Sequence, residues 1–191
     1  RREAVKGVAL LAAVEAAEKT TDGGFAAISL HTTPERAHSV LPPGARSRSH
    51  FTRTCVGCDL CVARCPGKCL TPSLSLKTFG QVEMDFAKGH CILGCTTCSA
   101  VCPSSALEKL SEELKLNTHV GRAVWHQERC LRADGTPCRA CIRKCPVKAI
   151  HEDEKGVLSI DETVCLGCGA CEHVCAARPK PAMVVEGYDE Q

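Results

Sequence analysis

Cysteine dominates this 191-residue chain: 16 of its 17 cysteines fall into four clusters that begin about 35 to 39 residues apart. The first cluster reads Cys55-x2-Cys58-x2-Cys61-x3-Cys65-Pro. Aromatic residues make up only 3% of the chain, and the apolar side chains other than cysteine are too few for a large self-sufficient core. Something that the cysteines bind must therefore hold the fold together.

The other three clusters repeat this pattern with small changes. They read Cys165-x2-Cys168-x2-Cys171-x3-Cys175-Ala, Cys91-x3-Cys95-x2-Cys98-x3-Cys102-Pro and Cys130-x7-Cys138-x2-Cys141-x3-Cys145-Pro. The last three cysteines stay in register throughout, and only the first loop of the second and third motifs is longer. The seven-residue loop of the third motif carries Arg132 and Asp134, so we expect the cluster there to differ in reduction potential.

This spacing is the bacterial ferredoxin signature, in which three close cysteines bind one 4Fe-4S cluster and the fourth binds the neighbouring cluster. Glycines lie between the ligands, where a tight loop needs permissive backbone conformations. The pattern predicts four 4Fe-4S clusters. The ligand sets are Cys55, Cys58, Cys61 and Cys102 (set 1); Cys91, Cys95, Cys98 and Cys65 (set 2); Cys130, Cys138, Cys141 and Cys175 (set 3); and Cys165, Cys168, Cys171 and Cys145 (set 4).

Two other uses of cysteine fit less well. Three cysteines within seven residues do not readily form disulfides with one another, and the total is odd. Zinc sites use separated pairs of cysteines rather than a triplet followed by a fourth. Cys69, the remaining cysteine, is most simply a buried apolar residue; a spare ligand or a redox-sensitive thiol is the alternative.

We predict an α+β fold made of two tandem bacterial 2[4Fe-4S] ferredoxin-like modules, preceded by an extended N-terminal arm. The predicted parts are an N-terminal helix and arm (1–49), a first module (50–112), a connector (113–118) and a second module (119–191). Short strands are expected at 51–54, 82–86, 107–110, 122–126, 149–151, 157–160 and 182–186, and residues 111–118 are expected to be helical.

The four motifs can pair in two ways. The turn sequence Asp153-Glu-Lys-Gly156, between two short apolar runs, predicts a tight hairpin between motifs three and four. That hairpin favours the tandem pairing of one with two and three with four. A nested arrangement, one with four and two with three, is the alternative.

The first 49 residues suggest export and docking. Arg1-Arg2 followed by Val8 to Val14 partly matches a twin-arginine signal, although an ordinary amphipathic helix explains the same residues. Residues 20–49 lack periodicity and contain several prolines and glycines, so we expect an extended linker or an arm that wraps a partner.

Charge and motif content narrow the function classes. The chain carries a formal charge of +2, and four oxidised clusters would bring it to about −6, which disfavours nucleic acid as a partner and favours a basic docking face. The chain contains no run of 18 apolar residues, so we expect no membrane span. Each set has four thiolates and no G-x-G-x-x-G follows a strand, so we expect an electron carrier without a substrate site of its own. His90, His126 and His173 are expected in surface or supporting roles.

The chain resembles the bacterial ferredoxin-type proteins of the MauM/NapG group, with likeness to NapF. The resemblance rests on Pro42-Pro43-Gly44-Ala45, on the loop from Cys130 to Cys138, and on a last motif that ends at Cys175 without Cys-Pro. It implies a relay of electrons between a membrane quinol-oxidising or other donor module and an oxidoreductase, on the periplasmic side or, alternatively, in the cytoplasm. A freely diffusing ferredoxin and a maturation factor for a periplasmic reductase are the alternatives.

Overall fold

The computed structural model describes residues 34–191, which all belong to one compact unit. Its helices and strands are short: α-helices have four to seven residues and strands three to five. In chain order they are α1 Arg48–Thr54, α2 Leu60–Arg64, β1 Leu70–Pro72, β2 Val82–Met84, α3 Thr97–Ala100, α4 Glu112–Leu116, β3 Gly121–Trp125, the 3-10 helices Gln127–Arg129 and Leu131–Asp134, α5 Ala140–Lys144, β4 Ile150–Glu152, β5 Leu158–Ile160, α6 Ala170–His173 and β6 Met183–Gly187.

The strands form antiparallel pairs rather than one large sheet. β1 pairs with β2 and β4 pairs with β5, so a hairpin separates motifs one and two and another separates motifs three and four. β3 pairs with β6 in the register that sets Gly121 opposite Gly187. α2 contacts α3 and α5 contacts α6, so motif one lies beside motif two and motif three beside motif four. For reference, residues 48–116 are called the first half and residues 121–187 the second half. The fold is α+β with small sheets, and the division into tandem modules stays a prediction.

Most of the predicted elements are confirmed. Strands occupy the cores of the segments predicted at 82–86, 122–126, 149–151, 157–160 and 182–186. The connector is helical as predicted, because the Ser111 hydroxyl caps α4 by accepting a hydrogen bond from the Leu114 amide at 3.2 Å. These elements were predictable because hydrophobic alternation and turn residues are local signals.

The strand predicted at 51–54 is wrong, because residues 48–54 form helix α1. The Ser47 hydroxyl accepts a hydrogen bond from the His50 amide at 3.2 Å and so caps the helix N-terminus. Phe51, on the buried face of this helix, is 2% exposed. Capping and burial of Phe51 therefore outweigh the strand propensity of its neighbours.

The strand predicted at 107–110 is also absent. This segment lies against residues 42–45, and the Glu108 amide donates to the Gly44 carbonyl at 2.7 Å. Pro42 and Pro43 lack the amide protons that a continuing ladder would need. A single backbone contact therefore replaces the strand pair.

Residues 34–47 are the part of the predicted N-terminal arm that the structure describes. Residues 34–47 are largely extended, but they pack on the fold instead of projecting from it: Val40 and Ala45 are fully buried, and the Met84 amide donates to the Val40 carbonyl at 2.7 Å. The apolar stretch 40–45 drives this packing, because its burial removes hydrocarbon from water. The possible twin-arginine segment and residues 20–33 lie outside the described residues.

Residues 34–47 also form a buried ion pair with the last motif. The Arg36 guanidinium contacts both carboxylate oxygens of Glu172 at 2.9 and 2.5 Å, and the Val185 amide donates to that carboxylate at 2.7 Å. The two side chains are only 7% and 3% exposed. Residues 34–47 therefore connect the first-half hairpin to the second half.

Among residues 34–191, no helix has the length and apolarity needed to cross a bilayer.

Candidate iron-sulfur site

Each motif places its third cysteine on a short helix and its fourth just beyond that helix. Cys61 lies in α2, which ends before Cys65, and α3, α5 and α6 repeat this arrangement. The x3 spacing therefore spans about one helical turn. The backbone repeats as well: three residues after the last cysteine of motifs one, two and three, a non-glycine residue has positive φ (Lys68, Ser105 and Lys148).

The thiols of set 1 and those of set 3 lie together in the structure. Burial raises the pKa of Cys61 to about 11, and the charges of Cys55, Cys58 and Cys102 add to the rise. In set 3, burial raises the pKa of Cys141 to about 11, and Cys138, Cys175 and Cys130 contribute in the same direction. In both sets the fourth cysteine lies near the three cysteines of the other motif, and the ligation of iron by these foursomes stays a prediction.

Sets 2 and 4 are gathered in the same way. All four cysteines of set 2 line one pocket, together with Cys69. Burial raises the pKa of Cys171 well above its ordinary value, and Cys168, Cys165, Cys141 and Cys145 raise it further. The structure thus brings together every predicted foursome within residues 34–191.

The thiols fit an iron-sulfur cube by their chemistry and their spacing. Among residues 34–191, no three Cys, His, Asp or Glu side chains are arranged to share a single metal ion. A 4Fe-4S cluster needs no such convergence, because each thiolate binds a different iron. Backbone amides also point at two of the sulfurs: Ala149 at Cys145 (3.3 Å) and Ala182 at Cys175 (3.2 Å). Such donors stabilise thiolate charge.

The two halves meet where motif two faces motif four. The Cys91 amide donates to the Cys168 carbonyl at 2.9 Å. Burial raises the pKa of Cys168 to about 11, and among the charges that add to the rise is Cys91 from the other half. Sets 2 and 4 are therefore neighbours across the boundary between the halves.

The rings of Phe86, His90 and His173 pack at this junction. The His173 Nδ1–H donates to the Phe86 carbonyl at 2.9 Å, and the His173 ring stacks on His90 with ring centroids 5.7 Å apart. Gly169 has φ +77°, and a Cβ added there would lie 2.0 Å from the Phe86 ring. A side chain at position 169 would therefore push the halves apart. The supporting role of His90 and His173 stays a prediction, and no local sequence signal indicates that the two rings stack.

Cys69 is buried, as predicted, but its thiol also contacts cluster ligands. Its sulfur lies 3.9 Å from that of Cys65. The Cys69 hydrogen bond is the largest cause that lowers the pKa of Cys65 to about 5, and it also lowers the pKa of Cys91 to about 7. Ala106 and Ala149 occupy the same position, four residues after the last cysteine, in motifs two and three. The thiol is therefore particular to the set 2 environment.

Lys115 is a site residue that sequence reasoning missed. It lies on α4 with only 3% of its surface exposed, although it carries a charge. Its ammonium group helps to lower the pKa of Cys91, after the larger effect of Cys69, through charge and through a hydrogen bond to the thiol. A lysine in a polar connector gives no local signal of this role, because its burial depends on how α4 packs.

Replacing Lys115 by Met should lower the reduction potential of one cluster. A unit charge on the order of 8 Å away is worth about 2 kcal/mol at an effective dielectric constant near 20, or about 90 mV for one electron. Protein-film voltammetry should show one potential falling by roughly this amount. Lys115→Arg keeps the charge and should restore most of it, and the exposed Lys109→Met is the control. Four unchanged potentials in Lys115→Met would contradict the assignment.

The long loop of the third motif is held by ion pairs. Arg132 pairs with Glu152 on β4 and donates to the Cys138 carbonyl at 3.2 Å, while Arg139 contacts Glu152 at 2.8 Å. Asp134 is exposed at the tip. The expected difference in reduction potential stays a prediction. Through these contacts Arg132 holds the loop beside set 3.

Comparison with known proteins agrees with this geometry. The family described as "4Fe-4S dicluster domain" matches residues 54–106, which contain all eight cysteines of sets 1 and 2. The chain is 34% identical to the methylamine utilization ferredoxin-type protein MauM of Methylophilus methylotrophus (79% of this chain, 73% of that protein). It is 33% identical to the ferredoxin-type protein NapG of Escherichia coli (86% and 80%) and 26% identical to NapF of that organism (73% and 81%).

Proposed function

Because the chain belongs to the MauM/NapG family of ferredoxin-type proteins and is an iron-sulfur protein, we propose that it relays electrons as a subunit of a larger redox complex. A 4Fe-4S cluster supplies a centre that gains or loses one electron. The protein supplies the thiolates, the burial and the spacing between centres. It has no substrate site of its own in this proposal.

The observation that carries the proposal is the junction between the halves. In the predicted ligation, sets 1 and 2 exchange their fourth ligands, as do sets 3 and 4. The Cys91–Cys168 hydrogen bond of 2.9 Å lies between sets 2 and 4. Charge interactions also run from Cys98 to Cys61 and from Cys171 to Cys141. We therefore propose four clusters in the linear order 1–2–4–3, with clusters 1 and 3 at the ends.

This order makes the protein a conductor with two ends rather than a store of electrons. A relay needs one end for the donor and another for the acceptor, whereas a freely diffusing ferredoxin can use one face for both. The proposed setting is periplasmic and partner-associated, because the resemblance to families of periplasmic redox pathways points there. The donor is a membrane quinol-linked or similar module, and the acceptor is an oxidoreductase.

The first test is the cluster count and the coupling between clusters. Anaerobically purified protein should hold about 16 irons and 16 sulfides per chain, as four 4Fe-4S clusters require. Electron paramagnetic resonance of the reduced protein should show spins broadened by neighbouring clusters. Fewer than about a dozen irons, or four isolated spins, would contradict the four-cluster chain.

A second experiment separates the relay from its alternatives. A relay subunit should co-purify with a redox partner in fixed ratio, whereas a diffusing ferredoxin should not. Deleting the relay should leave the partner fully loaded with cofactor but unable to receive physiological electrons. A partner that is present but poor in cofactor would instead indicate a maturation factor and overturn the relay.

A further inference from the structure

Resting on the relay function, we propose that the loop between β1 and β2 and the ligand loop of cluster 1 form a docking face for a redox protein whose own face is apolar with acidic residues at its edge. We call it the cluster 1 face and define it by residues 53–60, 64 and 74–79. Electrons would pass between that partner and cluster 1, one end of the proposed chain.

The cluster 1 face exposes large apolar side chains side by side in sequence. Leu74, Leu76 and Phe79 are 82%, 96% and 73% exposed, and Val56 between two ligands is 70% exposed. Single exposed apolar residues are ordinary, but a group of them around one redox centre indicates an interaction site.

Both loops of this face lie against each other. A Cβ added to Gly57 would lie 2.7 Å from the Gly80 carbonyl oxygen, so the hairpin tip touches the ligand loop. The Gln81 amide group bridges them by donating to the Thr52 carbonyl at 2.7 Å. Cys58, a set 1 ligand, is itself exposed. A partner seated here would therefore approach cluster 1 closely.

The second half provides an internal comparison. Its corresponding hairpin, β4–β5, turns through Asp153, Glu154, Lys155 and Gly156, with the Asp153 carboxylate accepting hydrogen bonds from the Lys155 and Val157 amides. The fold thus closes such a hairpin with a short polar turn. The first half instead has a longer tip that exposes Leu74, Leu76 and Phe79, and burial of these side chains by a partner would account for it.

The charges on this face indicate which charged side chains a partner's surface should carry. Arg53, Arg64 and Lys77 are exposed and form no ion pair within residues 34–191, against one exposed carboxylate, Asp59. Some exposed arginines elsewhere are paired, as Arg122 is with Glu162, and others, such as Arg143 on α5, form no ion pair within the described residues. The whole loaded protein is negative, but at physiological salt charges farther than about 8 Å are screened. At contact, Arg53, Arg64 and Lys77 can each pair with a carboxylate at the edge of the partner's face, while cluster 1 and Asp59 offset their summed charge.

The test uses photoreduced flavodoxin, a small acidic flavoprotein, as the probe donor at physiological ionic strength. Stopped-flow measurement gives the second-order rate of cluster reduction for the full-length, cluster-loaded protein. Leu76→Asp combined with Phe79→Asp should slow this rate at least tenfold, and Lys77→Glu should slow it severalfold. The matched controls, Val157→Asp and Lys155→Glu on the other hairpin, should leave it within twofold.

A small reductant separates this proposal from the relay itself. Reduction by titanium(III) citrate, together with iron content, should be the same in every variant. If flavodoxin reduces Leu76→Asp/Phe79→Asp and Lys77→Glu as fast as the wild type, or if the control hairpin matters equally, the docking face is overturned while the relay stands. If titanium(III) reduces fewer than four clusters in the wild type, the relay fails first.

Discussion

Stripping iron from the protein without oxygen should abolish its cooperative unfolding and most of its native circular dichroism. Chelation should give a chain whose far-ultraviolet spectrum resembles that of an unfolded protein. The expected loss is complete, because the clusters take the place that a large hydrophobic core has in other proteins.

The reason lies in the lengths of the elements. The α-helices have four to seven residues and the strands three to five, and isolated elements of these lengths are not stable in water. Several predicted cluster ligands, including Cys61, Cys98, Cys165 and Cys171, are themselves part of the buried core. Without iron, the free energy gained by burying these thiols is too small to offset the conformational entropy that the chain loses on folding.

The control for this experiment is the same chelator preloaded with iron, which should leave the fold intact. Anaerobic reconstitution with iron and sulfide should restore both the spectrum and the thermal transition. An iron-free chain that still unfolds cooperatively, with native circular dichroism, would show that the polypeptide folds without its clusters.

Glu172→Ala should destabilise the loaded protein by about 3–5 kcal/mol, the usual cost of removing one partner of a buried ion pair. The change leaves the Arg36 guanidinium and the Val185 amide without their shared acceptor. It also loosens helix α6, which carries Cys171, a predicted ligand of set 4. The measurement is the rate of cluster loss in urea under anaerobic conditions, because clusters make unfolding irreversible.

Two further variants make the result specific. Glu162→Ala breaks the exposed pair with Arg122 and should cost less than about 1 kcal/mol. In Arg36→Met/Glu172→Leu no charge is left buried, so the double change should cost less than the sum of the single ones. Equal rates for Glu172→Ala and Glu162→Ala would contradict a structural role for the buried pair.

How much of this was predictable depends on whether the signal is local. Cysteine spacing predicted the 4Fe-4S clusters and the foursomes that the structure gathers, because ligand geometry confines the spacing. Hairpin β4–β5 was predictable from the turn Asp153 to Gly156. Helix α1 was not, because its cap at Ser47 competed with a strand-like composition.

The rest could not be read from sequence because it depends on distant contacts. Residues 34–47 look like a linker, yet they are buried by partners near residues 84, 172 and 185. Lys115 and Glu172 sit in polar segments and become important only when packing buries their charges. The tandem boundaries and the ligation of each iron stay predictions that the proposed experiments test.

The pairing of β3 with β6 also has a consequence for folding. β1–β2 and β4–β5 join strands that are close in sequence, whereas β3–β6 and the Cys91–Cys168 contact close long loops. Closing a long loop costs more chain entropy than closing a hairpin. We therefore expect the two hairpins to form before the contact between motifs two and four.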